Sequence, residues 1–302
     1  MIHHVFANRS NIGDWLSARG IQAVLGGPPA REYLCDEPFV DESLASLNKI
    51  PAADLVIIGG GGLFMDYFQP FWEGFRRIAG RVPYVIWGVG YCDIKHEPSR
   101  PPLDMMREIV SGSRLCVVRD ELTRRLLADC ALPPAVGCPS LHAIKPCEAR
   151  GYGVLHVDNY TTVGAQAYER MDAWGREFAH RTQRPFRSTN NRIAAGNEQE
   201  LSDTLQRYAM SDVILSSGLH GCILAVALGR KVLAVSGDHK IESFMEAAGL
   251  RDWVLDADEV ERVPEMLSAL ADQPAAEHYV RQAREANRCV AQRILDEFLG
   301  RP

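Results

Sequence analysis

In "SDVILSSGLHGCILAVALG", Ser211 to Gly229, an apolar run gives way to small residues and then to a second apolar run. His220 stands inside that turn, with Ser217 and Gly218 before it and Gly221 after it. Small residues at the mouth of a helix leave backbone N–H groups open to an anion. An imidazole there adds a group that exchanges protons near neutral pH. A lone histidine is more often a satisfied structural group, but small neighbours on both sides favour an open ring. "SGDHKIESF" supplies Lys240 at the equivalent place one apolar run later. If the two runs are adjacent strands, His220 and Lys240 together can hold a phosphate and transfer a proton.

Three more stretches place polar groups after apolar runs. "VVRDE" offers Arg119, whose guanidinium can grip phosphate or carboxylate, against the structural reading of an ion pair with the next helix. "NIGD" offers Asn11 as a helix cap and Asp14 in the first turn. Capping and dipole compensation account for both, and a cleft-edge position adds Asp14 as a candidate acid or base. "IIGGGGLFMD" holds glycines at 59 to 62, of which Gly60, Gly61 and Gly62 are candidates for close backbone approach to an anion. A tight strand-to-helix turn explains them equally well. They match neither the spaced dinucleotide fingerprint nor a Walker loop.

The elements that must position these groups alternate along the chain. Strands are expected at "IHHVFA", "ADLVIIGGGG", "PYVIWGVG", "RLCVVRD", "YGVLHVD", "DVILSSG", "KVLAVSG" and "DWVLDA". Amphipathic stretches lie between them, one capped by Asn197 ahead of Glu200. This order predicts an α/β fold with parallel sheets. Pro146 and Gly151 punctuate a linker, so the expectation is two doubly wound, Rossmann-like domains facing a cleft: 1–147 on the acceptor side and 148–275 on the donor side. A last helix, 276–302, is expected to cross back to the first domain. Ligands of open α/β sheets sit outside the carboxyl ends of the strands, which is where the groups above fall.

The chain has 302 residues, 46% of them apolar, and a formal charge of −6. No basic stripe is available for nucleic acid, but a local cluster of cations would serve a small anion. No run of about 18 apolar residues marks a membrane span, and the N-terminus lacks a secretory pattern. The eight cysteines form no CxxC pair and several sit in apolar runs, so we expect reduced thiols in a cytoplasmic protein and no metal. Peripheral contact with the inner membrane face and a homo-oligomer both stay open.

In order along the chain, "NIGD", "ADLVIIGGGGLF", "VVRDELTRRLL", "VGCPSL", "SSGLHGCILAVALGRKVLAV" and "DHKIESFMEAAGL" resemble the polysaccharide pyruvyltransferase family. The resemblance implies a GT-B-like architecture and transfer of the pyruvate skeleton of phosphoenolpyruvate to two hydroxyls of a saccharide, free or lipid-linked, as in exopolysaccharide synthesis. It implies a cyclic pyruvate ketal as product, no cofactor beyond phosphoenolpyruvate as donor substrate, and anion-binding or catalytic roles for Arg119, His220 and Lys240.

One departure stands out. The family's turn usually reads Ser-Arg-Leu-His-Gly, and here Gly218 replaces the arginine. A lost charge-assisted contact is worth about 1.5–3 kcal/mol, so Arg9, Arg187 and Arg192 become candidates to replace it. Two alternatives remain: a glycosyltransferase using a nucleotide-sugar donor, with Glu242 gripping the ribose, and a non-catalytic family member.

Overall fold

The computed structural model describes residues 1–98, 100–145 and 150–300. The expected boundary between 147 and 148, with Pro146 and Cys147, lies outside the described residues.

Among the described residues ten strands form two five-stranded sheets, and every strand pairing there is parallel. The first sheet takes β1 (Ile2–Phe6), β2 (Arg31–Leu34), β3 (Leu55–Phe64), β4 (Tyr84–Tyr91) and β5 (Leu115–Val118), in the order β2-β1-β3-β4-β5. The helices between them are α1 (Ile12–Val24), α2 (Val40–Leu47), α3 (Gln69–Ile78) and α4 (Leu103–Gly112), with α5 (Glu121–Leu126) after β5. The second sheet takes β6 (Val154–Val157), β7 (Phe186–Thr189), β8 (Val213–Ser216), β9 (Lys231–Ser236) and β10 (Val254–Asp256). Its helices are α6 (Tyr160–Arg181), α7 (Glu198–Ala209), α8 (Leu219–Ala227), α9 (His239–Ala247), α10 (Val263–Ala269) and α11 (Glu277–Leu299).

The second sheet runs β10-β9-β8-β6-β7, the same topology as the first read from its other edge. Each has a switch point where the chain changes direction of travel across the sheet: between β1 and β3, and between β6 and β8. Ligand sites of doubly wound sheets form there, because the helices on either side leave in opposite directions and open a crevice.

The halves are not independent in packing. One apolar core joins Ile12, Trp15 and Leu16 of α1 to Leu219, Ile223 and Leu224 of α8. The C-terminal helix α11 packs Val290, Ala291 and Ile294 against Ile57 and Val85 of the first sheet. Asn287 fixes it there, accepting from Trp87 Nε1 at 2.8 Å and donating to the carbonyl of Val136 at 2.8 Å. A cross-half latch is built on Lys95, which pairs with Glu242 and Asp256 and donates its backbone N–H to the carbonyl of Gly237.

Two features differ from the expectation. The strands β2 ("REYL") and β7 ("FRST") carry no long apolar run; each is a sheet edge, where one side needs little burial. The four glycines continue β3 through Phe64 and form no strand-to-helix turn. Gly60 and Gly61 have φ of 82° and 93°, which β-carbon sterics disfavour for other residues. A Cβ on Gly60 would press on Ser17 and Ala18, and one on Gly61 would overlap Asp14 Oδ1. These glycines therefore let α1 settle onto β3.

Candidate active site

The segments after β1 to β8, with the start of α9, enclose a cavity of about 410 Å³ between the two sheets. Asn11, Asp14, Gly62, Arg119, Gly218, His220 and Lys240 all line it. Gly60, Gly61, Ser217 and Gly221 do not. Gly60 and Gly61 are buried beneath α1. Ser217 is fully buried, and its Oγ accepts the N–H of Asn159 at 2.7 Å. Gly221 lets α8 approach the sheet, since a Cβ there would overlap Ser216 Oγ. These four shape the site without facing it.

Asn11 caps α1, accepting the N–H of Gly13 at 3.0 Å. Its backbone also bridges Arg192, and Ile12 donates to the carbonyl of Asn191. The first turn of α1 is thus tied to the β7–α7 loop of the other half.

The cations converge from two directions. Arg119 is buried: its Nε donates to Asp120 Oδ2 at 3.0 Å, while one terminal nitrogen, Nη2, has no hydrogen-bond partner among the described residues. Gly90 leaves space for the guanidinium, because a Cβ there would overlap it. Burial is the largest influence and works against the charge of Arg119, but Asp120, Cys138 and Cys92 together outweigh it, and the pKa rises. Lys240 pairs with Asp238 Oδ2 at 2.6 Å and reaches Cys92 Sγ at 3.2 Å. Burial again opposes the charge, and Cys92 and Asp238 overcome it, so this pKa also rises. Both side chains are fixed cations at neutral pH.

Two titratable groups are pushed in opposite directions. Asp14 is raised to about 6 by burial, against the pull of Arg119, Arg192 and Lys240. His220 is lowered to about 3, first by burial and then by the charges of Arg119 and Lys240. At neutral pH the unliganded site therefore holds a neutral imidazole and a carboxyl that is protonated part of the time. Environments that split two such groups are the usual basis of acid and base roles at one site.

The helix α8 begins at Gly218 without a side-chain cap, so its first N–H groups remain available to an anion. A Cβ on Gly218 would meet only Asn159 Cβ, at 3.8 Å, and φ is an ordinary −121°. The first carbon of the missing side chain would have had room. Of the three candidate replacements, Arg192 lines the cavity. Arg9 is paired with Glu32, and Arg187 packs beside Gly153. Glu242, the candidate ribose ligand, is occupied by Lys95 and by His239 at 3.2 Å.

Sequence reasoning passed over Asp36, Tyr67 and Asn190, and weighed "VDNYTT" without naming Asp158 in it; all four line the rim. Asp158 carried a signal, being the first residue after a strand. Asp36 and Asn190 come after the edge strands that lacked an apolar pattern. No group of three or more acidic, histidine or cysteine side chains among the described residues could hold a metal ion, and none of their helices is long and apolar enough to cross a membrane.

A family model described as polysaccharide pyruvyl transferase matches residues 11–239. No curated protein matches the sequence. Among solved structures, the fold is similar to the UDP complex of MnaA from S. aureus: TM-score 0.63, 11% identity, 100% of this chain and 98% of that one. It is similar to a UDP-GlcNAc 2-epimerase from Methanocaldococcus jannaschii in complex with UDP-GlcNAc and UDP: TM-score 0.60, 10% identity, 98% and 99% covered. The pneumococcal O-GlcNAc transferase GtfA, in complex with UDP and GlcNAc, is similar at TM-score 0.51 and 12% identity, with 86% of this chain and 60% of that one covered. At these identities the likeness is one of fold, the two-sheet GT-B type.

Proposed function

Because the chain belongs to the polysaccharide pyruvyl transferase family, we propose that it moves the pyruvate skeleton of phosphoenolpyruvate onto two hydroxyls of a saccharide as a cyclic ketal. The observation that carries this reading is the buried Nη2 of Arg119, unpartnered among the described residues, beside Lys240 and the uncapped start of α8. A buried cationic donor left without a partner is costly unless a ligand completes it. A donor with a phosphate and a carboxylate supplies the missing acceptors, and Arg192 is placed at the rim for the second anion.

Anion binding also prepares the proton chemistry. A bound dianion offsets Arg119 and Lys240, whose charges help to hold His220 down. The same offset removes the pull that keeps Asp14 from rising further. Donor binding therefore makes the imidazole more basic and Asp14 more fully protonated.

The steps then balance. Asp14 gives its proton to the methylene carbon of the enol phosphate, which leaves a cationic centre at the neighbouring carbon. The first sugar hydroxyl attacks that centre and His220 takes its proton. The carbon–oxygen bond to phosphate breaks, and His220 returns its proton to the departing phosphate. The second hydroxyl closes the ketal, its proton restoring Asp14. The rim carboxylates and amides of Asp36, Asp158 and Asn190 are suited to hold sugar hydroxyls.

Incubation with phosphoenolpyruvate and a panel of saccharides, following phosphate release and the ketal methyl signal by NMR, tests the proposal. Phosphate release that depends on the saccharide supports it. Binding of nucleotide sugars in preference to phosphoenolpyruvate would count against it.

A further inference from the structure

Ser17 lies one turn beyond Gly13 on α1, fully buried, with its hydroxyl between a backbone carbonyl and a ring nitrogen. It donates to the carbonyl of Gly13 at 2.7 Å and lies 3.3 Å from Nε2 of His220. A serine hydroxyl has one proton. The shorter bond, to a carbonyl one helical turn back, uses it. Towards His220 the oxygen can then only accept, so Nε2 must be the nitrogen that carries hydrogen.

We infer that Ser17 fixes His220 in the Nε2–H tautomer, which leaves Nδ1 as the basic nitrogen facing the cleft, and that Ser17 is a positioning residue for proton transfer. Neither Ser17 nor Cys138, the two groups near Nε2, lines the cavity that His220 lines. Nε2 is therefore turned away from that cavity. Gly13 does not block the other nitrogen. A Cβ on Gly13 would fall below 3.0 Å from each of Nδ1, Cγ and Cε1. Closeness to all three ring atoms at once puts Gly13 over the face of the ring, and the Nδ1 lone pair lies in its plane.

Cys138 Sγ, at 3.7 Å from Nε2, is the competing neighbour. It also lies 3.1 Å from Ser140 Oγ and 3.3 Å from Ser17 Oγ, so its weak proton has nearer oxygens to serve. The tautomer is set by this geometry alone. Its catalytic consequence rests on the pyruvyl-transfer reading.

The test is long-range 15N–1H NMR of protein labelled at histidine nitrogen, with His220 assigned by the signal missing in H220Q. The expected spectrum at pH 7 shows His220 with Nε2 protonated and Nδ1 bare. S17A should mix in the Nδ1–H form and lower kcat by about 10–100-fold, the range for removing an orienting partner, with KM for phosphoenolpyruvate little changed. C138A should keep the wild-type tautomer. A wild-type Nδ1–H signal, or an S17A spectrum identical to wild type, overturns the inference. If no variant and no wild type turns over phosphoenolpyruvate while the spectra behave as expected, the reaction assignment fails and the tautomer assignment stands.

Discussion

The imidazole of His220, on the first turn of α8, lies across Gly13, on the first turn of α1, so closely that no β-carbon fits between them. The two helices come directly after β1 and β8, one strand from each of the two switch points that face the cleft. The contact thus places the neutral base of one half beside Asp14 of the other, which is the residue after Gly13.

Gly13→Ala should uncouple that pair. Overpacking of this kind typically costs about 1–3 kcal/mol, which outweighs the gain from better helix propensity. In an H220A background the clash disappears, so the same substitution should become neutral or stabilising. Chemical denaturation of the four proteins in the double-mutant cycle gives the coupling; a value near zero would mean that the two residues do not press on each other.

His220→Gln should lower turnover by about 10²–10⁴-fold, the usual worth of a positioned acid or base, while keeping a melting temperature near wild type at pH 7.5. Its pH dependence carries a second signature. The native pKa of about 3 lies below the unfolded value of 6.5. The native state therefore resists the proton, and wild-type stability, full above pH 6.5, falls as pH drops towards 3. At pH 5 the loss is about 2 kcal/mol. The glutamine variant should lack it, as urea melts at pH 5 and 7.5 will show.

Asp14 has the opposite sign. Its native pKa of about 6 lies above the ordinary aspartate value of 3.8, so its contribution to stability is intact below pH 3.8 and is lost as pH rises through 6. Asp14→Asn should be more stable than wild type at pH 8, by up to about 3 kcal/mol, with the difference vanishing at pH 3.5. The variant should also lose turnover. Equal stability at both pH values would place the carboxyl in a wetter setting than the structure gives it.

Donor binding should take up protons between pH 6 and 7, because an anion beside Arg119 and Lys240 raises both His220 and Asp14. Titration calorimetry with phosphoenolpyruvate in buffers of different ionisation enthalpy reads this directly. Proton release on binding would contradict the assigned roles.

Arg119→Met and Lys240→Met should each weaken phosphoenolpyruvate binding by about 10–150-fold, the equivalent of a charge-assisted hydrogen bond at about 1.5–3 kcal/mol. Arg192→Ala should weaken it less, since Arg192 is exposed. Gly218→Arg should fold normally, given the open space and ordinary φ at that position, and should recover binding in the Arg192→Ala background. Affinities and melting temperatures of this set separate loss of ligand contact from loss of fold.

Much of this molecule is legible in one dimension because apolar runs must be buried, and burial in alternating strands and helices leaves few architectures. One rule locates the cleft residues Asp14, Arg119, His220 and Lys240: a doubly wound sheet exposes the residues just beyond the carboxyl ends of its strands. The edge strands β2 and β7 escape that rule because an edge can form from "REYL" or "FRST" with little apolar pattern. The glycines at 59 to 62 mislead locally: their run resembles a turn, and only the approach of α1, with Ser17 and Asp14 against Gly60 and Gly61, shows why side chains are absent there. Sequence established that His220 and Asp14 could move protons. Which one is neutral, which nitrogen is bare, and which of Arg9, Arg187 and Arg192 reaches the cavity depended on burial and on groups brought together from distant parts of the chain. Electrostatics acts through space, so those properties existed only once the two halves had packed together.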